Sequence, residues 1–189
     1  PLAYIPEKTK YAFGIYAKLS SFKANTDNVF QNTGISLNGS VSSGKNMGVF
    51  IQDSELSSGI AQITGNTFNN LDVSIQLGGK NIALIDCNSF EHAIGGVDIH
   101  VANGSINNQQ YVKTINPSTA LTYPMTNLFN SDCNKPKVIS NSSNSWYYLQ
   151  KLNYPLGLTS TCTAGNVNVF YSTSEPACPF YEENHTLVS

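Results

Sequence analysis

Two short phrases recur along the first two thirds of the chain, and their spacing limits the possible folds more than any other feature. One phrase is Asn-x-Phe, which occurs as Asn28-Val29-Phe30, Asn66-Thr67-Phe68, Asn88-Ser89-Phe90 and Asn127-Leu128-Phe129. The other is a short β-branched alternation that begins at Ile15, Val49, Val73 and Val97, with intervals of 34, 24 and 24 residues. Nearly fixed intervals of this size indicate a solenoid, in which each repeat packs mainly against its neighbours.

Each repeat contains two short strands with polar or Gly-rich turns between them. The second strand reads Ile60-Ala61-Gln62-Ile63 in one copy and Ile82-Ala83-Leu84-Ile85 in the next. Period-two apolarity of this kind predicts strands, and the region shows no helical spacing. One repeat cannot bury its own apolar side, so the copies are predicted to stack as parallel turns, or rungs, of a coil. The repeated Asn is expected at rung corners, in the left-handed (αL) conformation, with amides bonding from rung to rung.

These residues resemble the secreted right-handed parallel β-helix proteins, in particular the Asn-rich, Arg-poor ones on the surfaces of Bacteroidota. The G-[VI]-x-[IV] strands and the phrases ITGNTFNN, LIDCNSFEH and TDNVFQNT carry the resemblance, over roughly residues 11 to 130. It implies export by the type IX secretion system as a surface adhesin or repeat stalk. We therefore predict an all-β chain, with a right-handed parallel β-helix (solenoid) of about four rungs over residues 1–123. An irregular C-terminal cap containing Cys and Tyr is predicted over residues 124–189.

The composition excludes several functional classes. The 189 residues include 10 Lys, 12 Asp plus Glu and no Arg, for a net charge of −2. Proteins that bind nucleic acid normally carry a basic excess rich in Arg. No stretch approaches the ~18 apolar residues that a membrane-spanning helix needs. Asn, Ser and Thr make up 59 of the residues, but 40% of the chain is hydrophobic, which can form a core. The composition therefore predicts no nucleic-acid partner and no membrane span. No cofactor is predicted either, because the Gly pairs at 78–79 and 95–96 fit turns between strands and not phosphate loops.

The four cysteines indicate an oxidising compartment. Cys87, Cys133, Cys162 and Cys178 form neither CxxC pairs nor a zinc pattern with His, so disulfides are the better interpretation and no metal site is expected. We expect a secreted or cell-surface protein. The predicted bridge joins Cys162 to Cys178. Cys87 lies in an apolar-alternating run, which equally suits a buried thiol.

Strand alternation divides the first strand of each rung into inward and outward side chains. The outward side chains form two predicted columns, namely Tyr16, Phe50, Ser74 and Asp98 in one and Lys18, Gln52, Gln76 and His100 in the other. Aromatic, amide and acid groups side by side suit a polysaccharide groove. We predict a ligand-binding face made of Tyr16, Phe50, Gln52, Gln76, Asp98 and His100. The same pattern also fits an ordinary solvated sheet face.

A catalytic alternative depends on the densest group of titratable side chains. A glycoside hydrolase needs two carboxylates about 5 to 9.5 Å apart, and the candidate residues are Asp98, Asp72, Glu91 and His100. The phrase Asn25-Thr26-Asp27 is similar to one in polygalacturonase-type β-helix enzymes, but their adjacent Asp pair, Gly-His-Gly and Arg-x-Lys are absent. A chain without Arg is also poorly equipped for the lyase chemistry of other β-helix enzymes.

The sequence therefore predicts a non-catalytic structural or adhesive module whose partner is a glycan or another cell-surface molecule. Two alternatives stay open. One is an enzyme that acts on polysaccharide, and the other is a cargo fragment recognised by the type IX export machinery.

Overall fold

The structure is a computed structural model that describes residues 11–20, 22–25, 27–31, 45–56, 60–91, 96–116, 119–129, 133, 135–153 and 156–174. These residues form strands and two short 3-10 helices, Ser54–Leu56 and Ser160–Cys162. The strands are β1 (Tyr11–Lys18), β2 (Lys23–Asn25), β3 (Val29–Gln31), β4 (Lys45–Gln52), β5 (Ala61–Thr64), β6 (Thr67–Asn69), β7 (Val73–Gly78), β8 (Lys80–Asn81), β9 (Ala83–Asp86), β10 (Ser89–Glu91), β11 (Val97–Val101), β12 (Ser105–Ile106), β13 (Tyr111–Asn116), β14 (Thr119–Tyr123), β15 (Leu128–Phe129), β16 (Val138–Ser140), β17 (Trp146–Lys151), β18 (Thr163–Gly165) and β19 (Val167–Ser172).

Three parallel sheets run along the coil. The six-stranded sheet has the order β1-β4-β7-β11-β16-β18, the four-stranded sheet the order β15-β10-β6-β3, and the three-stranded sheet the order β2-β5-β9. The chain visits the sheets in turn, so that β4, β5 and β6 belong to one rung and β7, β9 and β10 to the next. This arrangement confirms the predicted all-β parallel β-helix. An antiparallel hairpin, β13–β14, is inserted between β12 and β15.

The Asn-x-Phe phenylalanines form a stack inside the coil. The ring centroids of Phe30 and Phe68 lie 4.9 Å apart, and those of Phe68–Phe90 and Phe90–Phe129 lie 5.3 Å apart. Phe68, Phe90 and Phe129 are buried. Each stacked pair contributes about 0.5–1.5 kcal/mol beyond the burial of its area. The stack ends at Tyr148, whose ring meets Phe129 edge-on at 5.8 Å.

The Asn side chains of the same phrase form a hydrogen-bonded ladder beside the stack. The Nδ2 of each Asn donates to the Oδ1 of the next, at 2.8 Å from Asn28 to Asn66, 3.2 Å from Asn66 to Asn88 and 3.0 Å from Asn88 to Asn127. The predicted amide stacking is therefore confirmed. The predicted αL conformation of these Asn residues is wrong, because the αL residue is the one before the Asn in the first three copies. Those residues are Asp27, Gly65 and Cys87, with φ of 61°, 68° and 57°.

The coil continues beyond the predicted four rungs. The strands β16 and β18 extend the six-stranded sheet, in the register Val138↔Thr163. The strands β17 and β19 pair in parallel over six residues, where the sequence predicts an irregular cap. In the six-stranded sheet these added strands are only three residues long. So short a strand shows too little alternation to be recognised from the sequence.

The predicted disulfide is wrong, because Cys162 is bonded to Cys133. The pairing of β16 with β18 brings these two cysteines together, and the Lys137 N–H donates to the Cys162 carbonyl at 2.7 Å beside them. Cys87 is also disulfide-bonded rather than a free thiol. The predicted partner Cys178 lies outside the described residues. Disulfide bonding indicates an extracytoplasmic protein. Within the described ranges, no helix has the length and apolarity to cross a membrane.

Candidate functional site

One exposed column of side chains crosses the whole six-stranded sheet. The strand registers place one residue per rung in it, in the order Tyr16, Phe50, Gln76, His100, Ile139 and Ala164. Tyr16 is exposed, and the other five residues are partly exposed. We call this set the exposed column. Adjacent strands of a sheet lie about 4.8 Å apart, so its members are close neighbours.

This column differs from the two predicted columns by a shift of two residues. The prediction aligns Val49 with Val73, but Val49 pairs with Ile75, an interval of 26 residues. Val73 pairs instead with Met47. Phe50 therefore lies beside Gln76 and not beside Ser74. Gln52, predicted beside Gln76, is in register with Lys18 on one side and Gly78 on the other.

Ser74 and Asp98 are wrongly predicted to face outward, because both are buried. The pairing of the flanking residues places Ser74 and Asp98 in one column with Gly14 and Gly48. A Cβ built on Gly48 would lie 2.8 Å from Cδ1 of the Phe68 ring, so this column faces the phenylalanine stack. Asp98 is therefore part of the interior and is not accessible to a polymer on the sheet face.

Three aromatic rings gather at the N-terminal end of the exposed column. The Tyr16 and Phe50 centroids lie 5.3 Å apart, and the Phe13 centroid lies 5.7 Å from both. Phe13 is 40% exposed and Tyr16 is 51% exposed. The Tyr16 hydroxyl donates to Oε1 of Gln52 at 3.0 Å, which fixes the ring beside an amide. We call Phe13, Tyr16 and Phe50 the aromatic cluster.

The middle of the exposed column is polar. Gln76 follows Phe50, and His100 follows Gln76 on the next rung. The His100 Nε2 lies 3.4 Å from Nδ2 of Asn141, which follows β16 by one residue. Amide and imidazole groups can donate and accept hydrogen bonds at this position. The column then ends in the smaller side chains of Ile139 and Ala164.

The four predicted catalytic residues have different surroundings. Asp98 is buried, and Oδ2 of Asp72 accepts the backbone N–H of Asn46 at 2.8 Å, which ties one rung to the next. Glu91 is exposed at the end of β10 in the four-stranded sheet, where its carboxylate accepts the Ser89 hydroxyl at 3.3 Å. Of the four, only His100 lies in the exposed column. Among the described residues, no group of three His, Cys, Asp or Glu side chains could hold a metal ion.

Sequence reasoning missed two residues of this site. Phe13 lies three residues before Tyr16 in the same strand, so strand alternation predicts that the two side chains point to opposite faces. The ring positions show instead that Phe13 joins Tyr16 and Phe50. Asn141 lies beyond residue 123, where no further rung was predicted. The short alternation of Val138, Ile139 and Ser140 before it was the only available signal.

A buried carboxylate lies at a corner of the coil. Oδ1 of Asp86 accepts the backbone N–H groups of Thr126 at 2.6 Å and Cys87 at 2.8 Å, and the Thr126 hydroxyl at 3.1 Å. Its Oδ2 is buried and has no hydrogen-bond partner among the described residues. Burial raises the pKa of Asp86 from 3.8 to about 6, although the hydrogen bonds from Thr126 and Cys87 act in the opposite direction. This group therefore holds a corner together and is no part of the exposed column.

Comparison with known proteins finds no counterpart: no family model matches the chain, and neither does any curated protein or solved structure. What the exposed column can do is therefore judged from its own chemistry. Its members offer two aromatic rings, one amide, one imidazole and two aliphatic side chains, and none of its six positions carries a carboxylate.

Proposed function

We propose that the chain is a non-catalytic module of a secreted or cell-surface protein, and that its six-stranded sheet binds neutral glycans. The observation that carries the proposal is the aromatic cluster, in which two rings at least 40% exposed, Phe13 and Tyr16, gather with Phe50 on a sheet face. Exposed apolar rings that are grouped rather than scattered mark interaction surfaces on soluble proteins. The module acts as an adhesive or structural element through this face.

The neighbouring side chains support a carbohydrate as the ligand. A sugar ring has an apolar face of C–H groups and a rim of hydroxyls, so it needs an apolar surface with hydrogen-bonding groups beside it. The aromatic cluster offers an apolar surface made of rings tilted by 27° to 37° to one another, and Gln52 and Gln76 lie beside it in the sheet. Lys18 is the charged group in register with Gln52. A face of amides and rings with so little charge suits a neutral glycan.

The disulfides support the proposed location. The Cys133–Cys162 bond and the disulfide-bonded Cys87 persist in an oxidising environment, where surface glycans are also found. A surface module of this kind is also expected to have few charges that attract unrelated partners nonspecifically.

The test is binding to an array of neutral and acidic glycans, with Tyr16→Ala as the variant and Tyr171→Ala as its matched control. The two tyrosines are 51% and 50% exposed, and Tyr171 lies in β19, the last strand that the structure describes, whereas Tyr16 lies in β1. We expect the wild type and Tyr171→Ala to bind the same neutral glycans, and Tyr16→Ala to lose about tenfold or more in affinity. Absence of binding to every glycan, or an equal loss in both variants, would reject the proposal.

A further inference from the structure

We propose that the bound glycan lies along the axis of the coil, across the strands, and that it is an extended β-1,4-linked neutral chain. This inference rests on the proposed function and adds the direction and the class of the ligand. It follows from the order of the exposed column, which presents one side chain per rung over six successive strands of one sheet.

The repeat distance of the column favours a straight polymer. Six strands at about 4.8 Å spacing give the column a length of roughly 24 Å. One step between rungs is close to the length of one pyranose unit in an extended β-1,4-linked chain. A straight chain of five or six units therefore keeps one sugar near each rung, whereas an α-1,4-linked chain curves away from the column after a few units.

Two residues of the aromatic cluster, Tyr16 and Phe50, also follow one another along the axis of the coil. These residues belong to neighbouring strands, their centroids are 5.3 Å apart, and their planes are tilted by 37° to each other. A sugar chain that follows the axis can therefore contact an apolar ring on each of two successive rungs. Equatorial linkages keep the apolar faces of successive sugars available for such contacts, which again favours β-1,4-linked chains.

The rest of the column differs from the aromatic end in its chemistry. Gln76 and His100 offer hydrogen bonds to sugar hydroxyls on the third and fourth rungs, and Asn141 lies beside His100. Ile139 and Ala164 on the last two rungs are apolar and smaller, so they leave room for the chain to pass. We therefore expect the tightest contacts at the aromatic end and added contacts for chains longer than three units.

A length series tests the direction of binding. Cello-oligosaccharides of two to six units, titrated calorimetrically into the whole chain, should bind with an affinity that rises about tenfold or more from the dimer to the pentamer and then levels off. Maltohexaose, which is curved, should bind at least about tenfold more weakly than cellohexaose.

Two variants test the aromatic end and the polar middle of the exposed column separately. Tyr16→Ala should weaken the dimer and the hexamer alike, whereas His100→Ala should weaken the hexamer about threefold to tenfold and leave the dimer unchanged. His100→Gln, which keeps a hydrogen-bonding group, should restore part of the hexamer affinity. Tyr171→Ala again serves as the control, and circular dichroism checks that each variant is folded.

The outcomes separate this inference from the proposed function. If glycan binding depends on Tyr16 but shows no dependence on chain length, or if His100→Ala has no effect on the hexamer, the axial direction is wrong and the proposed function stands. If maltohexaose binds as tightly as cellohexaose, the β-1,4 class is wrong. If no oligosaccharide or array glycan binds, both proposals fail together.

Discussion

The Nδ2 of Asn127 donates to the Tyr148 hydroxyl at 2.8 Å, and this contact ends the asparagine ladder. The same tyrosine ends the phenylalanine stack by meeting Phe129 edge-on. Both ladders run through the repeats that the sequence reveals, and both end on a residue of β17. The C-terminal rungs are therefore part of the same core, because one buried side chain completes two of its repeating contacts.

The contact between Asn127 and Tyr148 predicts the effect of removing one hydroxyl. Tyr148→Phe keeps the ring but removes this acceptor, so that among the described residues Nδ2 of Asn127 keeps the Ile85 carbonyl at 2.7 Å as its partner. We expect a loss of about 1–2 kcal/mol in the free energy of unfolding, measured by urea denaturation. The exposed Tyr171→Phe should lose less than about 0.5 kcal/mol. Equal losses in the two variants would show that the hydroxyl contact contributes nothing.

Gly48 should tolerate no side chain. A Cβ at this position would lie 2.7 Å from the Ser74 carbonyl oxygen and 2.8 Å from the Phe68 ring. Because both neighbours belong to the packed interior, we expect Gly48→Ala to cost about 1–3 kcal/mol and to lower the Tm by several degrees. In the control Gly78→Ala, the nearest atom is 3.3 Å away on the partly exposed Phe50 ring, which can move. If Gly48→Ala and Gly78→Ala had the same Tm, the close packing inferred around Gly48 would be wrong.

Asp86 predicts a pH dependence of stability. Its pKa in the folded chain is about 6, above the ordinary value of 3.8, so the folded state binds the proton more tightly than the unfolded state does. The contribution of this group is therefore fully present below about pH 4 and is lost as the pH rises through 6. The loss amounts to roughly 3 kcal/mol, measured by urea denaturation across pH 4 to 8.

Replacing Asp86 separates its contribution from that of the other carboxylates. Asp86→Asn has no titrating group, so the decrease in stability between pH 4 and 7 should become smaller than in the wild type. Glu91→Gln, at an exposed carboxylate, should retain the wild-type profile. A profile that is unchanged in Asp86→Asn would show that this carboxylate is not the source.

The Cys133–Cys162 bond predicts both a peptide map and a stability change. Digestion without reduction should release a peptide pair that joins Cys133 to Cys162, whereas a pair that joins Cys162 to Cys178 would contradict the structure. The bond spans 29 residues. Loop-closure entropy then gives roughly 3–4 kcal/mol for its loss in the double variant Cys133→Ser/Cys162→Ser. The readout is denaturation of the double variant against the oxidised wild type.

Local patterns were sufficient to predict the coil. The Asn-x-Phe phrase repeats because each rung places an amide and a ring at the same two positions, so one sequence phrase determines both ladders. The alternation of strands such as β5 and β9 also follows from the sequence, because alternate side chains of each strand enter the same core. The αL corners were less predictable, since Asp27, Gly65 and Cys87 share no residue type.

The residues of the exposed column could not be predicted from single strands, because they depend on the register between strands. The pairing of Val49 with Ile75 is set by the path of the whole second rung, and a shift of two residues preserves the alternation while changing every neighbour. The burial of Asp98 depends on which part of the sheet faces the phenylalanine stack.

The sequence alone therefore determined that this chain forms a parallel β-helix, because burial repeats with a local period that is readable along the chain. Only the tertiary structure decided which side chains share the exposed column, that the coil continues beyond the predicted rungs and which cysteines pair. These properties depend on the register between strands that are 24 to 39 residues apart, such as Ile75 with Ile99 and Ile99 with Val138. That register is set by packing between rungs, so it cannot be predicted from the sequence pattern of any one strand.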